Sequence, residues 1–347
     1  MNRPWLHVME LVFVLISVLT LRADEKTNAR LDASTFADLL RKAQSGDHCA
    51  QNRVGVAFSK GDAVRLDPAE AVRWFMKAAA GGELNAQYHL GVMLYRGTGV
   101  ARNLTEALTW FEKAAAKGLP EAQFNAGYLY EGGLGVPQNL GRALALFQES
   151  ASHGLAAAQD NLGEMYEKGL GVAKDSVAAV GWFRKSAEQG DPTGEFDLGA
   201  MFWNGAGVAE DVVKAVYWFR LAAQQGHAGA QRMLGVAYRD GIGLSQDYQV
   251  AAMWLLKSAE QGNAKAQVNL AELYRAGLGV RLDLMEAERW YRLSERASTD
   301  QGAQLGDLVD KMSIDQIDGA ESTATPRYPK HDSAQAVSTF SGADFLE

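Results

Sequence analysis

The side chains able to do covalent or metal chemistry are few in this 347-residue chain, and their spacing does not suit it. The histidines, His7, His48, His89, His153, His227 and His331, form no His-x-x-x-His pair, the spacing that puts two imidazoles on one helix face for zinc. There is no Gly-x-Ser-x-Gly elbow and no Ser-x-x-Lys, so the common serine-nucleophile signatures are missing. Gly-x-Gly recurs from Gly97-Thr98-Gly99 to Gly277-Leu278-Gly279. No third glycine follows at dinucleotide spacing and no Gly-Lys-Ser/Thr ending appears, so these turns read as inter-helix loops. The single cysteine, Cys49, excludes an internal disulfide. With no cysteine or cation beside it in sequence, it reads as a small buried residue. No catalytic residue, metal ligand or cofactor is indicated, and a non-enzymatic protein is expected.

The residues suited to recognition are more plentiful and are segregated along the chain. Tyr88, Tyr95, Phe124 and Tyr128 come first. The acids Glu131, Asp160, Glu164 and Glu167 follow, with Lys168. Phe196 and Trp203 come next, and then Arg232, Arg239 and Arg275, diluted by Asp240 and Glu272. Aromatic anchors supply apolar area at protein interfaces, and charge complementarity fixes a partner's direction. Trp203 is the most distinctive, because every other tryptophan outside the leader falls at one recurring position. The pattern predicts a face that binds an extended peptide or a helix of a partner protein. The same aromatics suit packing between neighbouring helices, and an aromatic stripe also suits stacking on a sugar chain.

A strict internal repeat must position these residues. Ala50-Gln51 recurs as Ala86-Gln87, Ala122-Gln123, Ala158-Gln159, Ala230-Gln231 and Ala266-Gln267, with Gly194-Glu195 in the remaining slot, every 36 residues. A fixed period of this length marks a solenoid of stacked supersecondary units. Counting each repeat from its leading alanine, positions 1, 5 and 9 are apolar at i, i+4, i+8, one face of a helix A. Position 6 is glycine in six copies (Ala271 in the last), which predicts a neighbour packed on bare backbone. The Gly-x-Gly turn ends helix A. An Asp or Asn at position 18 (Asp67, Asn103, Asn139, Asp175, Asp211, Asp247, Asp283) reads as a turn or cap residue before a helix B. Helix B carries tryptophan at position 25 (Leu146 in one copy), expected to fill the gap between repeats, then small residues and a terminating glycine. Positions 3, 7 and 10 form an i, i+4, i+7 stripe beside the packed face, and the recognition residues above lie on it.

Helix, Gly-x-Gly-Val turn, Asp, helix with tryptophan and Ala-Ala, then Gly, in 36 residues, resembles the Sel-one-like repeat family over residues 50-297. The resemblance implies an all-α, right-handed superhelical solenoid of antiparallel hairpins related to tetratricopeptide arrays, with the stripe on its concave side. It implies a protein–protein scaffold, often in exported bacterial proteins or endoplasmic-reticulum complexes. Some cysteine-rich members are described as β-lactamases or penicillin binders, and this chain lacks their cysteines.

The ends differ from the repeats. Arg3 and His7 precede an uncharged apolar run from Leu11 to Leu21, too short to span a bilayer, and Ala23 suits a cleavage site. Residues 1-23 therefore read as an export signal, giving a periplasmic or secreted protein, or a luminal one in a eukaryote, with no membrane span after cleavage. Residues 24-49 read as a capping half-repeat, 298-319 as a capping helix, and 320-347, rich in Ser, Thr, Ala, Asp and Pro, as a disordered tail. A net charge of -8 argues against nucleic acid as a partner. Asn103-Leu104-Thr105 is a glycosylation sequon in a loop.

Overall fold

The computed structural model describes residues 32–297. The leader at 1-23, the capping helix at 298-319 and the tail at 320-347 lie outside the described residues. Fifteen helices and no strand occur among the described residues, which divide after Gln246 into two compact units.

The first unit begins with α1 (Ala33–Gln44) and continues as A/B hairpins. These are α2 (His48–Lys60) with α3 (Pro68–Ala80), α4 (Leu84–Arg96) with α5 (Leu104–Ala115), and α6 (Pro120–Gly132) with α7 (Leu140–Ser152). Next come α8 (Ala156–Lys168) with α9 (Ser176–Ala187) and α10 (Pro192–Asn204) with α11 (Val212–Gln224), and the last helix A is α12 (Ala228–Asp240). Each helix packs on the next, which makes this unit an all-α solenoid. The second unit holds α13 (Tyr248–Glu260), α14 (Ala264–Ala276) and α15 (Leu284–Ala297), packed in the same consecutive manner.

The sequence punctuation works as expected. Each A helix ends on a left-handed glycine, such as Gly97 at φ 70° and Gly205 at φ 61°, a conformation glycine takes without steric penalty. Each B helix is capped by the Asp or Asn at position 18: Asp175 Oδ1 accepts from the backbone N–H groups of Val177 and Ala178 at 3.0 and 2.9 Å. Asn103 caps α5 in the same way, and its amide also donates to Glu106. Position 2 joins consecutive repeats: Gln51, Gln87, Gln123, Gln159, Gln231 and Gln267 each donate from Nε2 to the backbone carbonyl eight residues earlier, on the preceding B-type helix.

The core depends on a ring that the repeat reading passed over. The fully buried aromatics of the first unit's B helices are Phe75, Phe111, Phe147, Phe183 and Phe219, one residue after the tryptophan position. They lie on the helix A glycines. A Cβ on Gly91 would come within 2.6 Å of the Phe111 ring, and one on Gly163 within 2.7 Å of Phe183. Trp110, Trp182 and Trp218 are only half-buried, and Trp74, Trp110, Trp182 and Trp254 each have a lysine one turn on stacked over the ring. Lys113 Nζ is 3.8 Å from the centroid of Trp110, and Lys185 Nζ the same distance from Trp182. The ring expected to fill the gap is therefore the phenylalanine, and the tryptophan is a cover over it. At the N-terminal end α1 buries Phe36, Leu39 and Ala43 with Ala50, Val54, Ala57 and Trp74. Cys49, expected to be buried, is exposed, because it lies in the first turn of α2 one residue before the buried face begins at Ala50.

Candidate functional site

Neighbouring A helices of the first unit meet along a polar seam in which position 3 of one repeat faces position 4 of the next. Asn52 Oδ1 lies 3.0 Å from His89 Nδ1, and Asn125 Nδ2 donates to the Tyr88 hydroxyl at 3.5 Å. Burial, and after it the charge of Lys60, lowers the pKa of His89 to about 4, so the imidazole stays neutral at physiological pH. Asn161, next in the series, faces the ring position of Phe124, which offers no acceptor, and its Nδ2 is buried without a hydrogen bond.

This seam accounts for four aromatics of the predicted stripe. Tyr88, Tyr95, Phe124 and Tyr128 are at most 5% exposed, so they are interior residues and the open anchor role expected of them is corrected. Tyr88 packs on Phe111 and His89, and Phe124 on Phe147, because in repeats two and three the adjacent A helices bury position 3. Tyr95 lies under Arg102, whose guanidinium carbon is 5.5 Å from the ring centroid and whose Nε donates to the Tyr95 carbonyl. The arginines are also engaged locally. Arg239 makes two 2.7 Å bonds to Asp240, and Arg232 is half-buried with Nη2 3.1 Å from Met233 Sδ. In the second unit Arg275 pairs with Glu272 through Nε and Nη2. Each arginine thus has an interaction close to itself in sequence.

Repeats four and five remain. Glu164 and Glu167 of repeat four are half-buried, as is Glu131 of repeat three beside them, and Lys168 closes an ion pair with Glu164. Phe196 is half-buried, stacked 4.6 Å from the His227 ring and 5.7 Å from Phe219. Burial lowers the pKa of His227 to about 4. Trp203 keeps part of its surface open and leans on Phe219 at 5.9 Å.

Beneath these residues the seam carries two carboxyls in place of a donor–acceptor pair. Asp160, at position 3 of repeat four, is 6% exposed and hydrogen-bonds Asp197, at position 4 of repeat five. Burial first, and then the charges of Asp197, Asp191 and Glu164, push the Asp160 carboxyl well above the usual range. Asp197 is pushed up by burial and by Glu164 and Glu167, against the opposing charge of Lys168. Like charges this close do not both ionise, so the pair keeps a proton at neutral pH. Asp160 Oδ1 is buried with no hydrogen-bond partner. Two more acids are buried nearby. Asp191, the N-cap of α10, is raised by burial against two backbone N–H bonds, and Glu195 is raised to about 7, again chiefly by burial.

Sequence reasoning found Asp160, Glu164 and Glu167 but missed Asp197, Asp191 and Glu195. Position 4 carried a signal for Asp197, since His89, Asn125 and Asn161 make it polar in three successive repeats beside an apolar face. Glu195 stood out as the only acid in the glutamine column.

Sel1 repeats match the sequence seven times in succession, at residues 50–83, 84–119, 120–155, 156–191, 192–227, 228–263 and 264–297. The chain belongs to the Sel1 repeat family. Among solved structures it is similar to a Sel1 repeat protein from Oxalobacter formigenes, at 32% identity over 88% of this chain and 91% of that one, with a TM-score of 0.65. It is also similar to c5321, a protective antigen of uropathogenic Escherichia coli strains with an SLR fold, at 33% identity over 84% of this chain and 70% of that one, with a TM-score of 0.57. No curated protein matches the sequence. Sel1 repeat proteins are generally protein–protein interaction scaffolds, and the fold is typically non-catalytic. No described helix is long and apolar enough to cross a membrane.

Proposed function

We propose that this Sel1 repeat protein is an exported scaffold that binds a segment of a partner protein on the helix A stripe of repeats four and five. The observation that carries this reading is the distribution of accessible recognition groups. Elsewhere in the first unit the stripe's aromatics are buried in the seam and its arginines are engaged near themselves in sequence. At repeats four and five Glu167 and Trp203 keep part of their surface open, beside Glu131 at the same position of repeat three. A large ring beside several carboxylates combines apolar anchoring with charge selectivity. Export is supported by the apolar run from Leu11 to Leu21, its flanking charges and Ala23.

Site-specific photocrosslinking tests the surface. A benzoylphenylalanine at position 203 or 167 should trap a partner, and one at Val177, an exposed site on a B helix, should not. Crosslinks from 177 alone would move the interaction to the other face. N-terminal sequencing of the exported protein should begin at Asp24, and an intact Met1 in that fraction would refute the cleaved leader.

A further inference from the structure

Every other polar rung of the first unit's seam sets unlike groups against each other, amide against imidazole or amide against phenol. The rung between repeats four and five sets carboxyl against carboxyl, and one of its oxygens, Asp160 Oδ1, is buried without a partner. The charged groups facing it come from both A helices. Glu164, Glu167 and Lys168 lie on α8, and Asp191 lies at the start of α10. Lys168 is held by Glu164 one turn away. An excess of negative charge around an unsatisfied acceptor is the complement of a cation. The cation that suits it is organic, since no group of three metal-ligating side chains gathers among the described residues. A guanidinium presents several N–H donors in a plane and bonds two carboxylate oxygens at once, and an ammonium presents three.

Building on the reading of this stripe as an interaction surface, we propose that Asp160 and Asp197 accept one arginine or lysine side chain of a basic partner segment. The carboxyl of Glu164 acts on both members of the pair, and Trp203, one repeat along from Glu167, offers a ring face to the aliphatic stem. In the free protein the two carboxyls share a proton. An arriving cation takes its place, both carboxylates then ionise, and the proton passes to solvent. Binding at this site is therefore coupled to the release of about one proton near pH 7, which a contact between surface charges does not produce.

The test is calorimetric titration of the purified protein with a nine-arginine peptide at pH 7 and physiological salt, in buffers of differing ionisation enthalpy. The salt screens contacts between exposed charges. The expected result is saturable binding with about one proton released. In Asp160→Asn/Asp197→Asn affinity should fall at least tenfold and the proton release should vanish. Glu188→Gln/Glu260→Gln, which removes one more negative charge than the proton-sharing pair carries and does so at exposed helix ends, should stay within twofold of wild type. Circular dichroism checks folding, and the wild-type proton count stands without any variant. No binding, binding without proton release, or equal losses in the two double variants would overturn the proposal. If Trp203→Ala weakens binding of the peptide while the double asparagine variant does not, the stripe remains an interaction surface and the carboxyl pair is excluded as its acceptor.

Discussion

Replacing Glu195 with glutamine should stabilise the protein, and by an amount that depends on pH. In repeat four, Gln159 uses both ends of its amide. Nε2 donates to the Ala151 carbonyl at 3.2 Å, and Oε1 accepts from Gln189 at 2.8 Å. One repeat later Gln225 donates to Glu195 Oε2 at 2.9 Å, so the accepting half of the arrangement is intact. The donating half needs a proton, because the register places the Ala187 carbonyl where Ala151 stands. Glu195 is only 3% exposed, and burial raises its pKa from 4.5 to about 7. Since the folded value lies above the unfolded one, the stabilising protonated state is fully present below pH 4.5 and is lost as pH rises through 7. At about 1.4 kcal/mol per pKa unit the displacement sets an upper bound of ~3 kcal/mol, and screening by solvent and Gln225 reduces the expectation to ~1–2 kcal/mol. Glu195→Gln should therefore unfold in urea like wild type at pH 4.5 and gain that amount by pH 8, with the slope against urea unchanged. Repeat arrays unfold with limited cooperativity, so hydrogen exchange of the α8 to α10 amides should show the same gain locally. A gain that is the same at every pH, or a loss at pH 8, would refute the proton-donor role of Glu195.

Other consequences follow from the same geometry. The wild-type urea midpoint should fall as pH rises from the ordinary carboxylate range through about 8, where Asp197 of the raised Asp160–Asp197 pair titrates, and Asp160→Asn/Asp197→Asn should flatten that decline. Phe111→Ala should cost ~3–5 kcal/mol in chemical denaturation, and Gly91→Ala ~1–3 kcal/mol, because its methyl would press on the same ring. Tyr88→Ala should cost about 3 kcal/mol, the price of emptying an interior site, so a binding loss in that variant would report folding. Asp175→Ala should cost about 1 kcal/mol through the lost cap of α9, as read by the same denaturation.

The fold was legible because its determinants are local and repeat. Asp175 and its six equivalents cap B helices whatever packs on them, and Gly97 or Gly205 ends an A helix by its own backbone preference. The aromatic roles were harder to read. The i, i+4, i+7 rule places Tyr88 and Trp203 on one stripe, but it does not say how closely the next helix A approaches. That distance turns position 3 into interior and leaves position 10 partly open at Trp203 but covered at Tyr95, where Arg102 lies over the ring. The phenylalanine at position 26 was overlooked for a related reason. Tryptophan is the larger ring, yet burial is decided by the glycine opposite, and Phe111 faces Gly91 while Trp110 faces outward under Lys113. Asp197 and Glu195 required knowledge of contacts 30 or more residues apart, which only the stacked repeats supply.

A repeat protein carries its own controls, because each departure can be judged against other copies in the same chain. Gly194 replaces an alanine where a methyl would strike the buried Ser186 hydroxyl, itself without a partner. Glu195 replaces a glutamine, and Asp160 and Asp197 replace the unlike pairs of earlier rungs. These departures fall at the junction of repeats four and five, and those involving carboxyls are destabilising by the reasoning above: buried acids oppose each other or a carbonyl. A binding role accounts for the cost of the opposed carboxyls, because an unsatisfied acidic junction gains most when a cation arrives. It follows that Asp160→Asn/Asp197→Asn, expected to strengthen the fold at high pH, is also expected to weaken binding. Measuring stability and affinity on the same Asp160→Asn/Asp197→Asn protein tests that opposition directly: a variant that is more stable above pH 8 and still binds the nine-arginine peptide as wild type does would break the link.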